Sequence, residues 1–543
     1  MALMEDTSVT TKVKLDRNKA INESAGIIKL ENVQNSLGMF VNIDSDMTNK
    51  GKIQIDSDID EVDTNQPMNV AMRADYGTGN GGSTTVGSNA EVINDANGEI
   101  SLKGKFAIGQ LARLSTATNK TGGKIITDSD VKNSIGMSTL GGVLDNDGTI
   151  TITGNGVTKN IGAFLNSYTL SGTTHNPKGK LGQNSAITVS GDSSTGVLIN
   201  GSASVSPVAS LEYGGDVTVT GNGISGMTIG DNKTGKAEVT VKNNGTVTVN
   251  GGSAATSAGI YEYIEGTDKK KQGSYGIVVS KNSKLVSDGT HNVKAVVNVK
   301  GAESIGLYSG EGAELEVGDH DVKAYEGAVN YDADKGKITL KGTGTSTTGQ
   351  KSLLFYTGSD NTNQGKVFIN GTMKATIEGG ESATEKGTAF FYKSSSVPVS
   401  GSISGYNNAI SYGSFTPGEV QNFFDYTFGT GAAGSSTLNN LELTMKKGSR
   451  LFISPNVKAK ISQLVVGDLF SGIIGAPVIS SNSSDDYTRN LLLKSELEID
   501  RPVDLDLATE TYNNLEISNS SIINNSTMGG TKDKQYAMVQ END

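Results

Sequence analysis

The chain has 543 residues with 70 glycines, 8 prolines and neither cysteine nor tryptophan, which excludes disulfides, thiolate metal sites and a cysteine nucleophile. With charge at 19% it is neither collagen-like nor a charged disordered tail. Lys and Arg number 46 against 58 Asp and Glu, a formal net charge of -12, and that balance argues against sequence-independent nucleic-acid binding, because phosphate contacts need a cationic surface.

Met1 to Thr11 lacks a basic region followed by an apolar one, and no apolar run approaches 18 residues, so neither a signal peptide nor a spanning helix is expected. Beyond it one phrase keeps returning: a Gly or small residue, aliphatic residues at alternate positions, then Gly or Asn. It reads GKIQID (Gly51 to Asp56), GEISLKG (Gly98 to Gly104), GTITITG (Gly148 to Gly154), GDVTVTG (Gly215 to Gly221), GTVTVNG (Gly245 to Gly251), GKITLKG (Gly336 to Gly342) and GKVFING (Gly365 to Gly371). SAITVSG (Ser185 to Gly191), AEVTVKN (Ala237 to Asn243) and AELEVGD (Ala313 to Asp319) are looser copies. A strand with period-two alternation has one apolar face that it cannot bury alone, whereas many such strands stacked in register close a continuous core.

A second phrase precedes many of these: NSLGMF (Asn35 to Phe40), NSIGMS (Asn133 to Ser138), NIGAFL (Asn160 to Leu165), GISGMTI (Gly223 to Ile229), SYGIVV (Ser274 to Val279) and ESIGLY (Glu303 to Tyr308). Each pair of phrases reads as a two-strand coil of roughly 20 to 25 residues, with Ile, Leu, Val and Met inward, Thr, Lys, Asn and Ser outward, and the inner Gly allowing a tight bend or a close backbone approach. Roughly 18 to 20 such coils, at about 4.8 Å each, would make a rod on the order of 90 Å long. The expectation is an all-β parallel β-helix with loop and small subdomain insertions, its core holding Ile150, Ile152, Val217, Val219, Val247, Val249, Ile338 and Leu340.

Three stretches break the rhythm, and insertions on a solenoid map to loops on one flank. Residues 1–388 read as the β-helix, with insertions near 56–86 and 261–274. Residues 389–479 read as an aromatic-rich insertion or subdomain, and residues 480–543 as returning coils that stop at Asp543 without a cap, so that the protein is expected to continue. Phe390, Phe391, Tyr392, Tyr406, Tyr412, Phe415, Phe423, Phe424, Tyr426 and Phe428 cluster in the third stretch, and TPGEVQNFFDYTF carries a helix-start signal, with Thr416 as cap and Pro417 at the first position.

Several short motifs resemble chemistry without completing it. GDSST at Gly191 to Thr195 has Ser194 where a serine-protease motif needs Gly, and His175 is the only histidine before it. DGTH at Asp288 to His291 lacks a matching nucleophile segment and reads as a turn beside a strand. Asp145, Asp147 and Thr149 space oxygens as an EF-hand loop begins, but the glycine comes too early and Gly156 stands where the bidentate Glu belongs, so an Asp-Gly turn is the better reading. The acidic run Asp56, Asp58, Asp60, Glu61 and Asp63 reads as a solvated loop, with Ca²⁺ as the alternative. Gly77, Gly79, Gly81 and Gly82 lack the helix that a phosphate cradle needs. Lys269, Lys270 and Lys271 read as a loop tip. Asp216, Glu238, Asp231 and Lys242 are candidates for a polysaccharide-cleaving site. No cofactor or metal is expected.

The coil phrases, NSxGM followed by GTIxIxG, together with VDLDLATETYNNLEISNSSIINNSTMGGTKDKQYAMVQEN (Val503 to Asn542), resemble the passenger region of the large type V autotransporter adhesins of fusobacteria. The resemblance implies a right-handed parallel β-helix, secreted and displayed on the cell surface from the bacterial outer membrane through a C-terminal β-barrel that this chain lacks. It also implies a monomeric virulence adhesin that binds a host-cell protein or glycan, or another bacterium, without catalysis. The alternatives are a polysaccharide-cleaving β-helix and a structural spacer. Aromatic side chains anchor interfaces best, so Tyr406, Tyr412, Phe415, Phe424 and Tyr426 are the expected ligand contacts, with Glu419 and Asp425 as polar neighbours and with Phe390 and Phe391 anchoring the insertion.

Overall fold

The structure, a computed structural model, describes residues 18–318 other than 43–44, 59–68, 77–89, 128–130, 232–234, 253–272, 301–303 and 311, together with residues 2–3 and the backbone of the strands beyond 336. Every regular element among the described residues is a β-strand. The chain divides into two units, one made of Met1–Val247, Ala258–Lys270 and Ser283–His291, the other of Thr248–Ser257, Lys271–Asn282 and Asn292–Asp543.

In the first unit three parallel sheets run side by side. The first sheet stacks Leu37–Asn42, Asn69–Asp75, Ala107–Arg113, Ile135–Leu140, Ile161–Asn166, Thr195–Ile199 and Ser225–Ile229. The second stacks Asn18–Asn22, Ser45–Asn49, Glu91–Asn94, Thr116–Asn119, Val143–Asn146, Lys178–Leu181, Ala209–Tyr213 and Ala237–Val241. The third stacks Ile27–Val33, Lys52–Asp58, Glu99–Lys105, Lys124–Thr127, Thr149–Ile152, Ala186–Ser190 and Asp216–Asn222. The chain visits the sheets in turn, so one strand from each makes one coil of a parallel β-helix. Each coil therefore has three strands, not the two that the recurring phrases suggest. It is also longer than they suggest, since 26 residues separate Ser134 from its counterpart Asn160 and 34 separate Asn160 from Ser194.

The third-sheet strands follow the period-two rule: Ile150, Ile152, Val217 and Val219 are at most 1% exposed, as are Val247 and Val249. The side chains of Ile338 and Leu340, on the strand Lys337–Lys341, lie outside the described residues. In the first sheet a small residue faces the core in each strand, Gly in all but Asn69–Asp75, which has Ala71. A methyl group at Gly38, Gly136 or Gly162 would lie 2.6 Å from the carbonyl oxygen of Ala71, Gly162 or Gly196, one coil further on. None of these three has a positive φ, so the inner glycine serves close backbone approach and not a bend.

Polar residues also occupy the interior, where the pattern predicts only aliphatic ones. At the end of each of the first five second-sheet strands stands an asparagine, and Asn49, Asn94, Asn119 and Asn146 are at most 1% exposed. Their amides form a ladder. Asn22 Nδ2 donates to Asn49 Oδ1 (2.8 Å), Asn49 to Asn94 (2.9 Å), Asn94 to Asn119 (2.9 Å) and Asn119 to Asn146 (2.7 Å), and Asn146 Nδ2 then donates to Ser185 Oγ (2.5 Å). Asn94 Nδ2 also reaches the carbonyls of Gly98 and Lys124, tying the turn after its own strand to the next coil. Beyond Asn146 the same register position holds Leu181, Tyr213 and then Val241, and the column becomes apolar.

In the second unit, Tyr275–Val279, Ile305–Ser309 and Leu353–Thr357 form one parallel run. Glu314–Val317, Lys366–Ile369 and Tyr426–Phe428 form a second, and Val293–Lys300, Lys337–Lys341, Met373–Glu378, Leu441–Lys446, Gln463–Val466 and Asp504–Leu505 a third. Tyr426–Phe428 and Leu441–Lys446 pair with Lys366–Ile369 and Met373–Glu378 respectively, so the aromatic-rich stretch contributes strands to these sheets. Thr416 to Asp425, where the helix-start signal falls, lie outside the described residues.

Two outcomes follow. Replacing Asn94 by Ala deletes the middle rung of the ladder and leaves buried amide groups on Asn49 and Asn119 without partners, at about 1–3 kcal/mol per unsatisfied group. The urea midpoint should fall markedly, and much less for Asn22→Ala at the half-buried end of the ladder. The Tyr213 hydroxyl is buried and donates to the Thr246 carbonyl (3.0 Å), and burial raises its pKa well above the usual 10.0. Because the folded-state value is the higher one, this contribution to stability is complete below pH 10 and lost as pH rises toward the folded value. Urea midpoints measured between pH 8 and 11 should show the advantage of the native chain over Tyr213→Phe shrinking only at the alkaline end.

Candidate functional site: an arginine and tyrosine cluster

The strand ends of the first sheet collect charge and aromatic rings. Register places Asn42 opposite Asp75, and Asp75 opposite Arg113. The Arg113 guanidinium donates Nε to Asp75 Oδ1 and Nη2 to Asp75 Oδ2 (2.5 Å), a forked pair, while Arg73 Nη2 donates to Asp75 Oδ2 (2.6 Å). One carboxylate, 6% exposed, therefore holds two guanidiniums that are 17% and 27% exposed. Burial alone would lower the pKa of Arg113, but the hydrogen bonds and charge of Asp75 outweigh it and hold the guanidinium firmly charged.

Two tyrosines complete the cluster. Tyr76 follows Asp75, and its backbone N–H donates to the Arg113 carbonyl (3.1 Å). Tyr168 opens a hairpin, Tyr168–Leu170 against Thr173–His175, that leaves the helix between a first-sheet and a second-sheet strand. Its turn residues Ser171 and Gly172 both have positive φ, 48° and 82°, the combination that a two-residue hairpin turn requires. The Arg113 guanidinium carbon lies 4.9 Å from the Tyr76 ring centre and 5.7 Å from that of Tyr168, and the rings are 6.3 Å apart at 47°. These are cation–π distances. Burial, and next the hydrogen bond to Tyr168, raise the pKa of the Tyr76 hydroxyl.

Around the cluster three buried polar atoms lack hydrogen-bond partners: Asn42 Oδ1, Arg73 Nε and His175 Nε2. Buried polar atoms in native structures are nearly always matched, by protein groups, by ordered water or by an ion. His175 is paired with Tyr168 across the hairpin and Asn42 with Asp75 across the sheet, so two of these residues are strand neighbours of cluster members.

The motifs picked out in the sequence are mostly absorbed by the frame. Ser194 is fully buried, within 2.9 Å of Thr158 Oγ1, and accepts the Asn160 N–H (3.1 Å), which makes it a structural hydroxyl at the start of a first-sheet strand. Asp288 accepts the N–H groups of His291 and Thr290, and these backbone bonds lower its pKa; DGTH is a turn. Asp147 accepts from Thr121 Oγ1 and from the backbone and side chain of Asn184. Asp56 pairs with Lys103 (2.5 Å), while Asp60, Glu61 and Asp63 lie outside the described residues, as do Gly77 to Gly82 and Lys269 to Lys271.

Asp216, Glu238 and Asp231 belong respectively to the third sheet, the second sheet and the turn after a first-sheet strand. Asp216 and Asp231 accept the backbone N–H groups of Thr246 and Gly235. Among the described residues no three of His, Asp and Glu converge as a metal site would require. Of the aromatic positions, Tyr412 lies in the strand Ile410–Tyr412 and Tyr426 in Tyr426–Phe428, while Tyr406, Phe415, Glu419, Phe424 and Asp425 lie outside the described residues. Sequence reasoning missed Tyr76, Arg113 and Tyr168. The available signals were the charged Arg73 and Asp75 in an otherwise apolar strand, and the flanked Ser-Gly turn. The chain matches no protein-family model, no curated protein and no solved structure.

Replacing Asp75 by Ala leaves two guanidiniums uncompensated. A fully buried pair would lose about 3–5 kcal/mol, and the partial exposure of both arginines reduces the expected loss to about 1–3 kcal/mol. Asp56→Ala, which breaks an exposed pair, should change the urea midpoint little by comparison.

Proposed function

We propose that the chain is part of a surface adhesin of the type V autotransporter kind, displayed from the outer membrane by a longer protein, which holds a host-cell or bacterial partner without chemical change. The observation that carries the reading is the Arg113 guanidinium within cation–π distance of Tyr76 and Tyr168 and fixed by Asp75. Tyr and Arg dominate anchoring energy in protein interfaces, and here the forked Asp75 pair fixes the arginine before any partner arrives, which lowers the entropy cost of binding. Support for a non-catalytic role comes from Ser194 and Asp288, whose polar atoms serve the backbone. Tyr406, Tyr412, Phe415, Glu419, Phe424, Asp425 and Tyr426 are proposed as a second set of contacts, on the composition of their stretch.

The test is a screen of the chain against host surface proteins and surface glycans, with product analysis in parallel. Retention without cleavage is expected, and Tyr76→Ala and Tyr168→Ala should each weaken it at least about tenfold, as hot-spot truncations do, with an unchanged β-sheet circular-dichroism spectrum. Cleaved glycan would favour the polysaccharide-cleaving alternative. No retention at all would favour a spacer.

A further inference from the structure

A groove of about 600 Å³ crosses the outer side of the second sheet, a size ordinary for small-ligand sites. Successive coils line it at the same turn: Thr118 and Thr121 from one, Asp145 and Asp147 from the next, Lys180 and Asn184 from the third. Register places Thr118 opposite Asp145, and Asp145 opposite Lys180. The Thr118 hydroxyl proton is already given to Glu91 (2.5 Å), so it has none for Asp145. The side chains of Asp145 and Lys180, opposite charges on neighbouring strands, form no hydrogen bond or ion pair with a described residue, although their charges attract across the strands. Burial, with Asp147, Glu91 and Glu212 adding to it against Lys180, pushes the Asp145 carboxyl above its usual range. Asp147, by contrast, is fixed by Thr121 and Asn184.

The groove thus holds an acceptor and a donor set side by side, paired with no protein side chain and open to water or a ligand. A hydroxyl group satisfies both, donating to the Asp145 carboxylate while accepting from the Lys180 ammonium. Lys120 is engaged by Asp95 (3.3 Å), and Asp147, Glu91 and Glu212 surround Asp145 with negative charge that Lys180 opposes, so an anionic ligand is disfavoured. No aromatic or large aliphatic side chain lines it, so an apolar ligand finds no anchor. We infer that this groove is a binding site for a neutral sugar chain, distinct from the Arg113 cluster, with Asp145 and Lys180 bridged by a sugar hydroxyl and Asn184 and Thr121 flanking it.

The experiment is calorimetric titration of the whole chain with neutral trisaccharides (maltotriose, cellotriose and N,N′,N″-triacetylchitotriose). Expected is saturable binding of at least one, with a Kd at or below about 1 mM, the level of a few good polar contacts. Asp145→Ala and Lys180→Ala should each weaken it at least about tenfold, whereas Lys29→Ala, on an exposed lysine of the third sheet, should leave it unchanged; retention of a surface partner is read separately in Tyr76→Ala, so failure here and failure of the adhesin reading are told apart. Both groove variants change outward-facing side chains, and an unaltered urea midpoint certifies the fold. No saturation by any of the three sugars, or equal affinity in the Asp145→Ala and Lys180→Ala chains, overturns the proposal.

Discussion

The buried amide ladder at the second-sheet corner is the constraint on which the first unit depends. A period-two strand specifies which face is buried but not which neighbour it meets, and a slip of one residue would exchange core and solvent faces. An asparagine side chain carries two donors and one acceptor, so in a dry column it needs a polar group above and below it, which another asparagine supplies and which Ser185 supplies above Asn146. Asn22, Asn49, Asn94, Asn119 and Asn146 meet that condition, and a misaligned coil would bury amides without partners. Register is thus fixed by polar matching, and the aliphatic stack supplies cohesion.

The glycine column in the first sheet complements this. Where the asparagines demand a side chain in one column, the carbonyls facing Gly38, Gly136 and Gly162 leave no room for one in another, and Ala71 brings only a methyl group to it. The room released is filled from the third sheet, whose Ile and Val side chains are fully buried. With both columns set, the strand ends of the first sheet can carry residues with no role in the core, and it is there that Asp75, Arg113 and Tyr76 assemble.

The stacked parallel strands were legible because TITI and VTVT alternate strictly and each puts two aliphatic residues inward. The second-sheet strands were not. TATN and KGKL offer at most two aliphatic residues, one of their inward positions is Ala or Gly, and the inward asparagine looks polar to any hydrophobicity pattern. The cluster was harder still to read, since Arg113 meets Asp75 across 38 residues and Tyr168 across 55. Such pairs depend on coil lengths that vary, here between 26 and 34 residues for adjacent coils. A repeat announces its core through local alternation, whereas its surface chemistry is set by long-range register.

The change of column after Asn146 has a genealogical consequence. Rungs that present the same amide above and below are interchangeable, so an unequal crossover that duplicates or deletes a coil between Asn22 and Asn146 regenerates a complete ladder and a shorter or longer viable chain. A crossover that joined an asparagine coil directly beneath Tyr213 or Val241 would strand an amide against an apolar neighbour and be purged. Length variation among descendants of this gene should therefore fall within the asparagine block or within the apolar block, with the junction at Asn146 and Leu181 copied as a fixed seam.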